Sequence, residues 1–241
     1  GLLEASKNLG SERGCGRALW EHQSDKYGNY GTPMALMLLP FWTDGCIGSM
    51  EGLFFEASGT TPYHFLAASA ASENASDPVR QLRYDKNNID LAVRYMRDLG
   101  VRYYYAFTST MVEKASKHPD LYEVAVSEPW HVYEIRDWSI VVPLDSEPLV
   151  VQHRGGDERE RWLEVGLSFF QRPQDWNGIL VEDGPDTWQR IDVQPDSARS
   201  SSGRVEVLNT RSENERREVA PFEIDPTAVR LEQDSISFTV P

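Results

Sequence analysis

Three acidic residues that could work as paired carboxylates, Asp44, Glu51 and Glu56, lie close together in the sequence, and His64 follows them. Hydrolysis of a glycosidic bond needs two such groups, one as the acid and the other as the base or nucleophile. Acidic pairs also arise often by chance in a chain with 38 Asp and Glu residues. A carbohydrate-active hydrolase that uses this trio is therefore one alternative among those that follow.

Aromatic residues accompany these polar groups, since Trp42 precedes them and Tyr63 follows them. Aromatic faces pack against the CH faces of sugar rings as they do against other apolar groups, although such rings also fill hydrophobic cores. The surrounding stretch from Thr32 to Phe65 is the most apolar part of the chain, and it is predicted to be a structural hub with a binding surface. The predicted glycan-binding residues are Trp42, Asp44, Glu51, Glu56, Tyr63 and His64.

Motifs of several large enzyme classes are missing from the sequence. No GxSxG, GxGxxG, P-loop or HExxH pattern occurs, so a serine nucleophile, nucleotide-dependent chemistry and a zinc-protease site lack support, and neither a cofactor nor a metal is predicted. The formal net charge of -14 argues against binding to nucleic acid or to an anionic lipid surface, because both attract positively charged proteins.

The two cysteines, Cys15 and Cys46, lie in glycine-flanked loops. Neither belongs to a CxxC motif, and two thiolates are too few for a structural zinc site without histidine ligands. In an oxidising compartment a disulfide between them would close a loop of about 30 residues and stabilise the fold by about 3–4 kcal/mol. In the cytosol both would be ordinary thiols, and composition alone leaves the two alternatives open.

Local patterns predict an α+β fold with a mixed sheet covered by helices. Asn88 can cap a helix over Ile89–Leu99, and a strand dense in β-forming residues follows over Val101–Thr108. Thr110 and Glu113 have the spacing of a capping box, which predicts the start of another helix. Further strands are predicted at Arg17–His22, Leu53–Ala57, Leu121–Val126, Trp130–Ile135, Ile140–Val142 and Leu149–Gln152.

Two domains are predicted, residues 1–150 with the mixed sheet and residues 151–241 with a helix followed by a β-rich segment. The helix of the second domain begins at Asp157, and short strands follow over Ile179–Val181 and Trp188–Val193. Serine, arginine and glutamate dominate from about 194 to 219, which predicts a flexible connection.

No apolar run approaches the ~20 residues that a membrane-spanning helix needs. The start of the chain also lacks the pattern of a signal peptide. Because the first residue is Gly1 rather than a methionine, we expect the chain to be a piece of a longer protein.

Three segments together resemble a known group of proteins: GTPMALMLLPFWTDGCIGSMEGLFFEASGTTPYHF, NNIDLAVRYMRDLGVRYYYAFT and WHVYEIRDWSIVVPL. They are similar to the extracytoplasmic region of large actinobacterial multi-pass membrane proteins. Those proteins resemble the YfhO-type, GT-C-like glycosyltransferases and the pyruvoyl-tetrahydropterin-synthase-related membrane proteins. The shorter matching elements are Leu99-Gly100-Val101-Arg102-Tyr103 and Val132-Tyr133-Glu134, and the resemblance covers most of residues 13 to 193.

This resemblance implies a soluble extracytoplasmic accessory domain, anchored through transmembrane helices that the sequence does not contain. The partner would be the transmembrane part of the parent protein, with a cell-envelope glycan or a lipid-linked sugar as ligand and no nucleic acid. In the GT-C class the catalytic acidic residue lies between transmembrane helices, so no catalytic residue is carried over. The extracytoplasmic setting favours a disulfide between Cys15 and Cys46. A purely structural or interaction domain is the further alternative.

Overall fold

The computed structural model contains two compact units, Gly1–Trp138 and Ser139–Pro241. Helices and a mixed sheet occur together, which confirms the predicted α+β class. The division lies before residue 150, the predicted end of the first domain, so the strand that begins at Leu149 belongs to the second unit. The residues described are 1–23, 27–28, 32, 34–51, 60–79, 82–153, 165–166, 179–193, 217–220, 222–225, 228–231 and 235–239.

The first unit contains a five-stranded sheet in the order β2-β1-β3-β5-β4. Its strands are β1 (Gly16–Trp20), β2 (Ile47–Ser49), β3 (Val101–Ala106), β4 (Leu121–Ser127) and β5 (Trp130–Ile135). Strand β1 is parallel to both β2 and β3, whereas β5 is antiparallel to both β3 and β4. The sheet is therefore mixed, and its parallel part is the half formed by β2, β1 and β3.

Five α-helices of the first unit are described, together with a 3₁₀ helix, Ala35–Leu38, that runs directly into α2. They are α1 (Leu2–Arg13), α2 (Leu39–Trp42), α3 (Thr61–Ala70), α4 (Ile89–Asp98) and α5 (Ser109–Lys117). The predicted helix Ile89–Leu99 is confirmed as α4, and the Asn88 side chain accepts a hydrogen bond from the Leu91 amide as its cap. The predicted strand Leu53–Ala57 lies outside the described residues.

The start of α5 differs from the predicted capping box at Thr110 and Glu113. Thr108 is the cap instead: its backbone is extended, and its hydroxyl accepts a hydrogen bond from the Met111 amide at 3.3 Å. The helix therefore begins at Ser109, and only Phe107 and the cap Thr108 separate it from Ala106, the last residue of β3. Thr108 and Thr110 can both cap a helix through their hydroxyls. Thr108 is the cap here because the chain leaves β3 just before it.

The core of the first unit lies on both faces of β3, whose tyrosines are fully buried. Tyr103 and Tyr105 pack in a cluster with Trp20 and Ile47, while the Tyr104 hydroxyl donates a hydrogen bond to the Ala71 carbonyl at 2.6 Å. Burial of each large side chain contributes about 1.5–3 kcal/mol. The central position of β3 follows from this near-continuous apolar and aromatic pattern.

A disulfide between Cys15 and Cys46 joins the loops that precede β1 and β2, as the resemblance implied. We call this side of the sheet, where the parallel strands begin, the amino edge. Gly10 of α1 leaves room for the bridge, since a Cβ atom there would lie 2.7 Å from the Cys46 sulfur. The Arg102 guanidinium donates to the Cys15 carbonyl at 3.0 Å and so ties β3 to the same loop.

A buried carboxylate, Glu134, completes the amino edge. It accepts hydrogen bonds from Arg102 Nε at 2.8 Å, from the Tyr122 hydroxyl at 2.5 Å and from Arg13 Nη1 at 3.2 Å. Burial alone would raise the pKa of Glu134, but the hydrogen bonds from Tyr122 and Arg102 and the nearby positive charges outweigh it and lower that pKa. This cluster connects α1, β3, β4 and β5.

The second unit contains two small sheets. A parallel sheet has the order β7-β6-β8, and an antiparallel pair joins β9 and β10. The strands are β6 (Leu149–His153), β7 (Leu180–Val181), β8 (Arg190–Val193), β9 (Arg230–Leu231) and β10 (Ile236–Ser237). Most of the predicted helix after Asp157 and of the predicted flexible connection lies outside the described residues, but Glu218 forms an antiparallel bridge with Ser146.

Candidate functional site

The carboxyl ends of β1, β2 and β3 meet along one edge of the first unit's sheet, because these strands are parallel neighbours. We call this the carboxyl edge. Glu21 follows β1, Glu51 lies just after β2, and Phe107 follows β3. In α/β proteins ligands commonly bind where parallel strands end, since loops of several strands converge there. This edge is therefore the first place to look for a binding site.

Glu21 is fully buried at the carboxyl edge, and its hydrogen bonds lie within the fold. Its carboxylate accepts from the backbone amides of Phe107 and Thr108, both at 2.8 Å, and from the Thr108 hydroxyl at 2.7 Å. These donors stand at the start of α5, where the helix dipole favours a negative charge. Glu21 thus holds the end of β1 against the start of α5.

Glu51 and His64 form a second buried polar pair. Glu51 Oε1 lies 2.8 Å from His64 Nε2, and the two residues are 8% and 4% exposed. The Ser49 hydroxyl accepts a hydrogen bond from the Glu51 amide at 3.0 Å and donates to the Glu51 carbonyl, which fixes the backbone after β2. A carboxylate against an imidazole orients the ring and can hold or pass a proton.

Tyr27 occupies the centre of the carboxyl edge. Its ring makes an edge-on contact with Phe107 at 5.2 Å between centroids and a tilted contact with Trp130 at 5.3 Å. Burial, together with the negative charges of Glu21 and Glu51, raises the pKa of the Tyr27 phenol far above its usual value. Tyr27 is therefore a neutral hydroxyl held close to two carboxylates.

Three buried polar atoms in the segment after β1 have no hydrogen-bond partner among the described residues. They are His22 Nδ1, Gln23 Nε2 and the Tyr27 hydroxyl oxygen. Buried polar atoms in folded proteins are nearly always paired, so each of these atoms is a candidate position for a bond from water, from a ligand or from chain outside the described residues. All three belong to residues 22–27, whereas both carboxylate oxygens of Glu134 at the amino edge are paired.

A cavity of about 400 Å³ opens beside Tyr27. Trp42 and Trp130 supply two more rings to its wall, Leu36 adds an aliphatic side chain, and Glu128 adds a carboxylate. The volume lies within the range of small-molecule sites, and such sites are mostly apolar with a few polar groups. We call it the aromatic cavity.

The structure brings together only some of the residues predicted to bind a glycan. Trp42, at the end of α2, lines the aromatic cavity, and Glu51 pairs with His64. Asp44 instead stands exposed in the turn after α2, with a φ of 51°. Tyr63 lies half-buried in α3, and burial raises its pKa.

Glu56 lies outside the described residues. Tyr27 and Glu128 were not predicted as site residues. The signal that could have identified Tyr27 is its place just after the predicted strand Arg17–His22, since ligand sites follow strand ends. That signal requires knowing that β1 is parallel to β2 and β3, and local sequence patterns do not show strand direction.

A second cavity, of about 510 Å³, lies between the start of α4 and the end of α5. Its charged groups pair with one another or with the backbone. Lys114 Nζ donates to the Asn87 carbonyl at 2.6 Å, and His118 Nε2 lies 3.2 Å from Asp90. Lys117 pairs with Glu113 on the same helix. These charged groups already have partners within the fold, so they are not free to bind a ligand. The aromatic cavity is therefore the better candidate for a ligand-binding site.

Comparison of the chain with family models, with curated proteins and with solved structures finds no match. Among the described residues, no helix is long and apolar enough to cross a membrane. Within that same part of the chain, no group of three or more His, Cys, Asp and Glu side chains is arranged to hold a metal ion. Function therefore rests on the chemistry of the site, since a fold alone does not specify it.

Proposed function

We propose that this chain is an extracytoplasmic accessory domain of a membrane-anchored, glycosyltransferase-like protein. Its role is to bind and orient the sugar part of a cell-envelope glycan or of a lipid-linked sugar. The binding site is the aromatic cavity. The catalytic centre belongs to the membrane part of the parent protein, and the domain has no catalytic role of its own.

The observation that carries this proposal is the set of three aromatic rings, Tyr27, Trp42 and Trp130, around one cavity. The CH faces of a sugar pack on such rings, while its hydroxyls need polar partners at the margin. Glu128 can accept hydrogen bonds there, because its side chain is 80% exposed. A chain with a net charge of -14 also suits a neutral sugar better than an anionic polymer.

Support for the extracytoplasmic setting comes from the disulfide between Cys15 and Cys46. Disulfides persist in oxidising compartments and are rare in the cytosol. The membrane-bound parent protein is the expectation that the family resemblance supplies.

The two alternatives have less support. A hydrolase with paired carboxylates needs two acids that face one substrate, yet Glu51 faces His64 in the interior and Asp44 stands exposed in a turn. A purely structural domain predicts no concave site with aromatic and acidic groups, and the aromatic cavity with Glu128 at its wall counts against it.

Titration of the chain with cell-envelope oligosaccharides, followed by calorimetry and by NMR, tests the proposal. We expect saturable binding, and we expect Trp42→Ala to weaken it about tenfold or more, the effect of removing about 1.4 kcal/mol of aromatic contact. Trp188→Ala is the matched control, since Trp188 is a half-buried tryptophan of the second unit. Absence of binding for the whole sugar panel, or equal binding by Trp42→Ala, would sink the proposal.

A further inference from the structure

The helical segment beside the aromatic cavity has an exposed apolar face. The segment, residues 34–42, consists of Met34, the 3₁₀ helix and α2, and we call it the apolar rim. Met34, Leu38 and Phe41 are 46%, 43% and 77% exposed. Leu38 and Phe41 are three residues apart and lie on one side of the segment, and Met34 adds an exposed apolar side chain before the 3₁₀ helix.

The opposite side of the apolar rim is apolar as well. Leu36 and Leu39 are 7% and 0% exposed, and both belong to the core cluster of the first unit. A helix that is hydrophobic on all sides is normally covered on all sides, by protein or by lipid. The exposed face of the rim is therefore a candidate surface for contact with another protein or with lipid.

The charge distribution indicates the chemistry of that partner. No charged residue occurs between Thr32 and Thr43, although the whole chain has a net charge of -14. Such a chain is repelled by anionic surfaces and can approach a bilayer only through an uncharged face. The rim offers that face, and it carries Phe41 followed by Trp42, side chains that favour the boundary between lipid headgroups and acyl chains.

We infer that the apolar rim docks on the surface of a zwitterionic lipid bilayer, with Leu38 and Phe41 inserted at the headgroup boundary. Trp42 ends the rim and also lines the aromatic cavity, so this docking would bring the cavity close to the lipid surface. The membrane contact stands on the exposure and charge of the rim alone. One consequence rests on the proposed function: the sugar bound in the cavity is the headgroup of a lipid-linked sugar.

Sedimentation of the chain with phosphatidylcholine vesicles, at increasing lipid concentration, tests the docking. We expect the bound fraction to rise with lipid, and hydrogen exchange of the amides of residues 34–42 to slow in the bound state. Phe41→Asp should reduce partitioning at least tenfold, because a charge at the headgroup boundary opposes insertion. Val142→Asp is the matched control, since Val142 is 67% exposed but belongs to the second unit.

Three results would overturn the inference: no sedimentation at the highest lipid concentration, equal losses for Phe41→Asp and Val142→Asp, or a concentration-dependent dimer without lipid binding that Phe41→Asp abolishes. The last result would assign the rim to a second copy of the chain. An unchanged circular dichroism spectrum and melting temperature show that Phe41→Asp is folded. Sugar titration of Phe41→Asp without vesicles separates the two proposals, since Phe41 does not line the aromatic cavity.

Discussion

Two buried carboxylates, Glu134 and Glu51, stand at opposite edges of the same sheet and have very different surroundings. At the amino edge, Glu134 accepts hydrogen bonds from two arginines and a tyrosine. At the carboxyl edge, Glu51 faces the single imidazole of His64 and contributes to the raised pKa of Tyr27, whose hydroxyl lacks a partner among the described residues. The Glu134 carboxylate is fully paired within the fold, whereas the Tyr27 hydroxyl at the carboxyl edge is paired with no described residue.

The difference between the two carboxylates indicates that one edge of the sheet serves stability and the other serves binding. A fully paired polar cluster rigidifies a fold, whereas natural proteins leave local rules unsatisfied mainly at functional sites. The disulfide and the Arg102 contacts lie at the amino edge, while Tyr27 and Trp130 of the aromatic cavity stand at the carboxyl edge. We therefore expect changes at the amino edge to cost stability and changes at the carboxyl edge to affect binding.

The largest stability effect is expected from loss of the disulfide. Cys15 and Cys46 are separated by 31 positions, and opening a loop of that length costs about 3–4 kcal/mol in the chain-entropy model. The double variant Cys15→Ser with Cys46→Ser should show this loss in urea unfolding monitored by hydrogen exchange of the β1 and β3 amides. Sugar affinity, measured well below the melting temperature, should be unchanged. A loss below 1 kcal/mol would contradict the role assigned to the amino edge.

A pH-dependent loss of stability is expected next, from Glu134. Its folded-state pKa lies below the ordinary value of 4.5, so its contribution is complete above that value and is lost as the pH falls through the lowered pKa. The free energy of unfolding should therefore fall as the pH drops below about 4.5 toward the lowered pKa of Glu134. Glu134→Gln should flatten this dependence and cost about 2–3 kcal/mol at pH 7, since Arg102, whose side chain is 17% exposed, and Arg13, at 41%, lose their counter-charge.

Glu113→Gln is the control for this pH dependence. The pKa of Glu113 is also lowered, by its hydrogen bond and ion pair with Lys117, but the pair is exposed on the surface of α5. Exposed ion pairs contribute little to stability. Equal flattening of the pH profile by Glu113→Gln and Glu134→Gln would show that the amino-edge cluster has no special role.

Local signals were enough to predict the part of the fold around β3. The cap at Asn88 and the aromatic run after Gly100 identify α4 and β3, because these patterns depend on neighbours in sequence. The start of α5 differs from the prediction, since the cap is Thr108, two residues after the end of β3, rather than Thr110. Sequence patterns placed β1, β3, β4 and β5, but they missed β2, and the predicted strand Ile140–Val142 is wrong because the chain bends at Ile140 and Val141. Strand direction and order arose from tertiary packing.

The candidate site was predictable only in part, for the same reason. Trp42, Glu51 and His64 stand out by residue type within an apolar stretch, and the structure places all three at or near the carboxyl edge. Tyr27 and Glu128 reach the aromatic cavity from loops far apart in sequence, so only the three-dimensional arrangement identifies them. Asp44 belongs to the same stretch but points into solvent in a turn, which residue type cannot show.

The smallest expected effect compares one tyrosine from each edge. Tyr103 donates a hydrogen bond to the Gly14 carbonyl at 2.7 Å, at the amino edge, whereas the Tyr27 hydroxyl has no such partner in the described part of the chain. Loss of a formed hydrogen bond costs about 1 kcal/mol, and removal of an unpaired buried polar group is neutral or stabilising. Tyr103→Phe should therefore lower the free energy of unfolding by about 1 kcal/mol, while Tyr27→Phe should leave it unchanged or raise it.

Urea unfolding of the two variants, without ligand and then with a saturating oligosaccharide, checks this opposition. The ring of Tyr27 packs against Phe107 and Trp130, and phenylalanine keeps those contacts, so only the hydroxyl is tested. If a sugar supplies the missing partner, the ligand should stabilise the parent chain more than Tyr27→Phe, because stabilisation by a ligand follows its affinity. Equal destabilisation by Tyr27→Phe and Tyr103→Phe would mean that both hydroxyls are paired within the fold, and the contrast between the two edges would then fail.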